Sequence, residues 1–291
     1  MNYKTQKKIL LATFLFLPMA LLAMFMVYPT LRMFFMSFTD WNGTSKTYTF
    51  LGLRNYLEVF AARDMWISLR NNGIYLIMSV IQNILALIFA NILVTRLKGR
   101  NVFRAILFLP YIINSVAVAY IFNFVYDYSQ SPINVLLTGM GMSPVRFLSN
   151  PSTVTIFLAI ISLWRFTGYT MVVYIAGLEA VDKEQYEAAV VDGASAVQKF
   201  LYITLPNMKR IIELNMFLCI SGSLQAFTEA LILTQGGPGN ASSTYVTYVV
   251  KTAYQYNNYG LASAMSVVLL LIVLLVTVVQ HIALRERGGN G

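Results

Sequence analysis

Cysteine and histidine are almost missing from this chain. Of its 291 residues one is cysteine, Cys219, and one is histidine, His281. A lone cysteine forms no intrachain disulfide and no thiolate cluster; set inside an apolar run, Cys219 is read as a small buried hydrophobe. His281 lies near the end of the last apolar run without an acidic or histidine neighbour, so no metal site is expected and it is read as an interfacial residue. Charge is scarce too: 11% of the residues carry it, against roughly 25% in a soluble globular domain. The Gly-x-x-x-x-Gly-Lys-Ser/Thr phosphate loop is absent, and no clustered His, Asp or Cys set offers catalysis. The chain is therefore expected to be no enzyme, with no catalytic residue, no metal and no cofactor of its own.

What is present is apolar surface, 57% of residues, and it runs unbroken for about twenty positions at a time, the length that crosses a bilayer. Uncharged stretches place six spans at 9–31, 71–95, 105–126, 147–178 (interrupted only by Arg165), 214–228 and 252–284. The fifth must extend toward Leu233 to cross, which puts Glu229 inside or at the edge of the apolar layer. The expected fold is all-α, a polytopic membrane protein. No long-period repeat or second soluble domain is visible, and the connecting segments are short, so any enzymatic domain comes from another chain. The basic, apolar N-terminus is read as a retained first span rather than a cleaved signal, because the run is long and "LLAMFMVYP" has no small-x-small site.

The net charge of +9 sits between apolar segments rather than on one patch, so it reads as membrane orientation and not as nucleic-acid binding. Lysine and arginine collect on the cytoplasmic side of spans. Lys4, Lys7 and Lys8 put the N-terminus inside, as do Arg96, Lys98, Arg100 and Arg104 for the segment after span two. Lys183, Lys199, Lys209 and Arg210 do so after span four, and Arg285 and Arg287 for the C-terminus. The segment 32–70 dissents, with five basic residues against Asp40, Glu58 and Asp64. The organisation expected is a cytoplasmic N-terminus at 1–8, a transmembrane domain at 9–284 with a cytoplasmic loop at 179–210, and a cytoplasmic C-terminus at 285–291.

That loop, "GLEAVDKEQYEAAVVDGASAVQKFLYITLPNMKR", is the least membrane-like long segment. Asp182 is placed to cap a short surface helix over 183–196, which Gly193 weakens or ends. Ala188, Ala189, Gly193 and Ala194 are small, which lets a backbone approach a partner closely. Phe200, Ile203 and Leu205 are expected to anchor the following turn, and Pro206 to start the next helix.

The stretch "EAAVVDGASAVQKFLYITLP" at 187–206 resembles the E-A-A-x-x-D-G-A … I-x-L-P loop of binding-protein-dependent ABC importer permeases. The resemblance implies the transmembrane domain of a type I ABC importer, with a coupling helix between spans four and five that docks into a cytoplasmic ATPase. Glu187, Ala188, Ala189, Asp192, Gly193 and Ala194 would form the docking face, and Leu205 with Pro206 the pivot behind it. It further implies a second homologous permease, two ATPase subunits that hold ATP and magnesium, and an extracytoplasmic solute-binding protein, all at a bacterial cytoplasmic membrane.

Three further segments are similar to the carbohydrate-importing, maltose-transporter type of permease: "WRFTGYTMVVYIAGLEAV", "LTQGGPGNASSTYVTYVVKTAYQYNNYGLASAMS" and "YPTLRMFFMSFTDW". They imply that the lipid-embedded chain passes a sugar by alternating access. Aromatic faces stack on pyranose rings while amides and carboxylates bind hydroxyls, so Trp164, Arg165, Tyr169, Tyr174, Gln225, Phe227 and Glu229 are the candidates for the path. Charge in the apolar layer is costly and points to a cavity or a partner; for Arg165 and Glu229 mutual pairing and substrate contact both stay open. A polyol or glycerophosphate-like solute is the alternative within the family, and an ion-coupled secondary transporter the alternative outside it.

Overall fold

The computed structural model describes residues 3–95 and 97–284. Arg96, Arg285 and Arg287 of the charge map lie outside the described residues, as does the side chain of His281. The described residues are helical and contain no strand; an isolated antiparallel bridge joins Thr39 to Phe50.

Helix α1 (Tyr3–Leu22) passes through a π-turn (Ala23–Val27) into α2 (Tyr28–Met36), forming one apolar rod of 34 residues. The π-turn precedes Pro29, whose ring and missing N–H disturb the regular ladder; the Tyr28 amide reaches the Ala23 carbonyl instead. The same device recurs at the π-turn Phe200–Thr204 ahead of Pro206, where the Leu205 amide donates to the Phe200 carbonyl. The chain divides into two compact units, residues 1–63 with 249–272 and residues 64–248 with 273–291.

In the first unit the chain leaves α2 through a tight turn held from below. Asn55, on α3 (Arg54–Ala61), donates to the carbonyls of Ser37 (2.9 Å) and Thr39 (2.8 Å). The Asp40 carboxylate accepts from the Thr49 amide at 2.6 Å, which holds its pKa below the ordinary value. Gly260 comes close because it has no side chain: a Cβ there would run into the Thr39 carbonyl, and its amide donates to Trp41 O at 2.9 Å. The Trp41 ring lies on Tyr259 at 5.6 Å. Two of the segments singled out from the sequence, the one ending at Trp41 and the Gly-Leu-Ala-Ser-Ala lead-in, thus meet.

The second unit is built on α4 (Arg63–Leu93), from Asp64 onward, and α8 (Val154–Glu179). Between them come α5 (Arg100–Ile112) and α6 (Ser115–Val125), bent by 98° at their junction, and the short α7 (Pro132–Gly139). After the bend, Asn114 caps α6 by accepting from the Val116 amide at 2.9 Å. Next follow α9 (Lys183–Val191), α10 (Ala196–Lys199) and α11 (Leu205–Leu224). Helices α12 (Tyr245–Tyr254) and α13 (Tyr259–Leu284) complete the chain. Two apolar clusters form the core of this unit, one around Tyr75, Val118, Tyr126 and Leu158, the other around Ala86, Ala90, Met171 and Met208.

Among the described residues four helices are long and apolar enough to cross a membrane: Tyr3–Met36, Arg63–Leu93, Val154–Glu179 and Tyr259–Gln280, with a fifth if the bent pair counts as one. The expected boundaries need correction. The fifth span does not run over 214–228: α11 starts at Leu205, carries Lys209, Arg210 and Glu213, and stops at Leu224, with residues 225–227 outside any helix. The sixth is broken at 255–258, and the fourth begins at Val154, leaving Phe147 stacked on Tyr126 at 4.9 Å.

Gly168 fixes how α5 crosses α8. A Cβ there would collide with the Leu107 carbonyl and lie 2.8 Å from Phe108 Cα, backbone that cannot move aside as a side chain can. Gly168→Ala is expected to destabilise the protein by about 1–3 kcal/mol, the usual cost of overpacking. A fall of several degrees in thermal unfolding of the detergent-solubilised protein checks this; an unchanged midpoint would show that the helices tolerate separation.

Candidate functional site

The buried stripe of α4 changes character along its length. Residues three and four apart share a helix face, and here that face reads Asn71 and Asn72, Tyr75, Ser79, Gln82 and Asn83, then Ala86, Ala90 and Leu93. One half is polar, the other apolar and small. The asparagines and the glutamine of the polar half are engaged with other elements. Asn71 Nδ2 donates to the carbonyls of Ala241 (2.8 Å) and Ser243 (2.9 Å). Asn72 Nδ2 donates to those of Ser223 (2.7 Å) and Leu224 (3.2 Å), at the end of α11, while its Oδ1 accepts from the Tyr245 amide at 2.8 Å. Gln82 donates to Thr170 Oγ1 (2.7 Å) and Phe166 O (3.1 Å) on α8. Asn83 Nδ2 donates to Cys219 Sγ at 3.0 Å, and its Oδ1 accepts from the Tyr174 hydroxyl at 2.6 Å.

A cavity of about 550 Å³ opens between α4, α8 and α11, with Tyr111 of α5 on its wall. Its lining overlaps the first core and stops short of the second: on α4 it runs from Tyr75 to Gln82, before Ala86, and on α8 from Ala159 to Thr170, before Met171. Tyr111 stacks on Tyr169 with ring centroids 4.6 Å apart and planes at 24°, making an aromatic platform. Arg165 Nη1 and Glu229 Oε1 face each other at 4.0 Å. Glu229 is 5% exposed and sits just after the non-helical residues 225–227, so the break in α11 is what carries it to the cavity wall.

Five of the seven expected path residues line this cavity: Arg165, Tyr169, Gln225, Phe227 and Glu229. Two do not. Trp164 packs edge-on against Phe122, with centroids 5.3 Å apart. Tyr174 is buried and spends its hydroxyl on Asn83, a packing role. Cys219, expected as an inert buried hydrophobe, instead lines the cavity between Asn83 and Gln82. Tyr75, Gln82 and Tyr111 went unnoticed in the sequence, although polar and aromatic residues at helical spacing within an uncharged run were there to be seen.

The loop after α8 is a compact device. Asp182 caps α9, accepting from the Glu184 amide at 3.0 Å. The helix ends in a Schellman turn: Gly193 at φ +74° donates to Val190 O (3.1 Å) and Ala194 to Ala189 O (2.9 Å). Ser195 and Gln198 then form a capping box that starts α10. Tyr186 is bonded to Thr204 Oγ1 (2.9 Å) and Asn207 to Gln185 (2.9 Å), so α9 is strapped to the start of α11. Gly177 of α8 admits Met208, whose Sδ would stand 2.9 Å from a Cβ there. Leu205, expected as an anchor, is 37% exposed; Thr204 and Met208 are the buried residues of this turn. Of the expected docking residues, Glu187, Ala188, Asp192 and Gly193 are exposed and Ala189 and Ala194 half-buried; Pro206, expected in the pivot, is exposed.

Among the described residues, four bilayer-length helices, two of which wall a polar, charge-paired cavity, define a multi-pass membrane protein of the class that moves solutes. The chain belongs to the family of binding-protein-dependent transport system inner membrane components, whose model matches residues 82–285. A probable ABC transporter permease, YurN of Bacillus subtilis, is 34% identical over 92% of this chain and 94% of its own length. The trehalose/maltose transport system permease MalF of Thermococcus litoralis is 37% identical over 79% of this chain and 78% of its own. The fold matches that of a chain of a bacterial alginate ABC importer, with a TM-score of 0.86 at 20% identity, covering 98% of both chains.

Replacing Asn72 by leucine keeps the branched four-atom side chain but leaves the Ser223 and Leu224 carbonyls and the Tyr245 amide without this partner. Each orphaned group costs about 1–3 kcal/mol, so Asn72→Leu is expected to lower the thermal unfolding midpoint. It should also speed maleimide labelling of Cys219, one helical turn before Ser223. Labelling at the wild-type rate would show that Asn72 does not hold the end of α11.

Proposed function

We propose that this chain forms half of the translocation path of an ATP-driven importer for a sugar or oligosaccharide, with hydrolysis on two separate ATPase subunits. The observation that carries this reading is the α9–α10 loop. It exposes Val190 (59%) and Val191 (87%) beside a face of small residues, and it is strapped to α11, one wall of the cavity. An exposed apolar and small-residue surface fits a close-packed protein partner. In this reading Glu187, Ala188, Ala189, Asp192, Gly193 and Ala194 dock into the ATPase, and Thr204 and Met208 share the pivot with Leu205 and Pro206.

The cavity suits a sugar. Its volume lies within the roughly 300–1,000 Å³ of small-molecule sites, the Tyr111–Tyr169 platform offers stacking, and Gln82, Gln225 and Glu229 offer hydroxyl partners. The relative named for trehalose/maltose transport supports the same substrate class. Six crossings follow if the bent α5–α6 pair is one span and α11 with the turn up to Thr234 is another. The charge map then sets 1–8, the loop 179–210 and 285–291 in the cytoplasm and the chain in the bacterial cytoplasmic membrane. A second permease completes the pore, a solute-binding protein delivers sugar outside, and ATP with magnesium sits on the ATPases. Closure of the ATPases on ATP shifts the permease pair toward its outward-open state, and hydrolysis resets it.

Gly193 tests the docking role because a Cβ there would meet nothing within 4 Å. The substitution Gly193→Leu costs only the left-handed backbone strain of about 1–2 kcal/mol and places its bulk on the proposed interface. In proteoliposomes holding the assembled transporter, ATP-driven uptake is expected to fall about tenfold or more, while the chain still inserts and folds. Unchanged uptake would rule out this face as the docking surface.

A further inference from the structure

One end of the cavity holds hydrogen-bonding capacity that the chain itself does not use. Arg165 and Glu229 stand 4.0 Å apart, beyond the about 2.7–2.9 Å of a direct charge-assisted bond. Arg165 Nε and the Tyr75 hydroxyl are buried without a hydrogen-bond partner, and Tyr75 is 4% exposed. All three residues line the same cavity. Native proteins leave few buried polar atoms unpaired, and two such atoms lining one cavity beside a loosely held ion pair point to a ligand.

The chemistry of the three groups names the ligand class. The guanidinium only donates, the carboxylate only accepts, and the phenol does both. An uncharged hydroxyl matches the gap between the first two, since it donates to Glu229 and accepts from Arg165, leaving Tyr75 for a neighbouring oxygen. A carboxylate or phosphate on the solute cannot do this. It could accept from Arg165 but not donate to Glu229, and would meet the like charge of Glu229 at close range, where juxtaposition costs several kcal/mol. We propose that Tyr75, Arg165 and Glu229 form a charge-balanced clasp that grips neutral, hydroxyl-bearing solutes and rejects anionic ones. The clasp rests on the reading of the cavity as a sugar path, and it disfavours the glycerophosphate-like alternative.

The test uses the assembled transporter in nanodiscs and equilibrium dialysis with labelled maltose and lactose as neutral probes. Maltobionate and lactobionate, the aldonic acids of the same sugars, are the anionic ones. Wild type is expected to prefer the neutral member of a pair. Glu229→Gln removes the repelling charge and leaves Arg165 uncompensated, so the preference is expected to narrow by about tenfold or more, through gained aldonate binding. Tyr75→Phe deletes one oxygen that has no protein partner, so the fold is kept. It is expected to weaken neutral binding about two- to tenfold, the worth of one hydrogen bond. A preference unaltered in Glu229→Gln, or neutral affinity unaltered in Tyr75→Phe, overturns the clasp while leaving the sugar reading standing. Failure of both neutral probes to bind wild type overturns the sugar reading itself.

Discussion

A helix that stops within a bilayer leaves carbonyls that water cannot reach, and the protein must supply their partners. In the proposed six-crossing arrangement helix α11 stops in this way at Leu224, and Asn72 answers it. One side-chain amide takes the Ser223 and Leu224 carbonyls, and its oxygen takes the Tyr245 amide where α12 begins. Asn71, the next residue along, holds the intervening loop through Ala241 and Ser243. Because these bonds make the break in α11 tolerable, residues 225–227 can leave the helix and bring Phe227 and Glu229 to the cavity. Without that break there would be no charged wall opposite Arg165.

The same helix explains why the cavity lies where it does. At the Asn71 end of α4, polar side chains reach across to α8 and α11 and hold them through side-chain hydrogen bonds. At the Leu93 end, Ala86 and Ala90 let neighbours pack directly. Space remains between the polar struts, and none remains among the alanines. Small residues act likewise on α8, where Gly168 admits the α5 backbone and Gly177 admits Met208. Close crossings of this kind replace the hydrophobic drive that lipid does not provide.

Features dictated by local chemistry were legible in the sequence. Asp182 as a cap and Gly193 as a stop are short-range matters, and the helix between them formed with those ends. Long apolar runs gave helices for an equally simple reason, the demand for internally satisfied backbone. The breaks at 113–114, 225–227 and 255–258 were not legible, because no charged residue marks them, and the one at 225–227 also depends on Asn72, remote in sequence. Tyr169 and Tyr174 show the same limit. Both are tyrosines of α8, but five residues turn the helix by about 140°, and only the position of α4 decides which one faces the cavity. The polar side chains of α4 were hidden because the stretch carries no charge; their spacing at 72, 75, 79 and 82–83 marks one face.

The ion pair links these themes. Burying a guanidinium and a carboxylate is expensive, and their attraction repays it only when the geometry is held. Here Arg165 belongs to the straight helix α8 and Glu229 to the segment beyond the break in α11, so the 4.0 Å gap is set by how those two elements lie. Helix α11 is also the element strapped to α9 through Thr204 and Asn207, and Met208 seats its first turn against Gly177 of α8. A push on α9 would therefore reach the start of α11 through short hydrogen bonds, and in the proposed clasp a shift of α11 against α8 would alter the Arg165–Glu229 spacing. On that proposal grip and drive meet on α11 and the segment that follows it, and Asn72, which permits the break, stands between them.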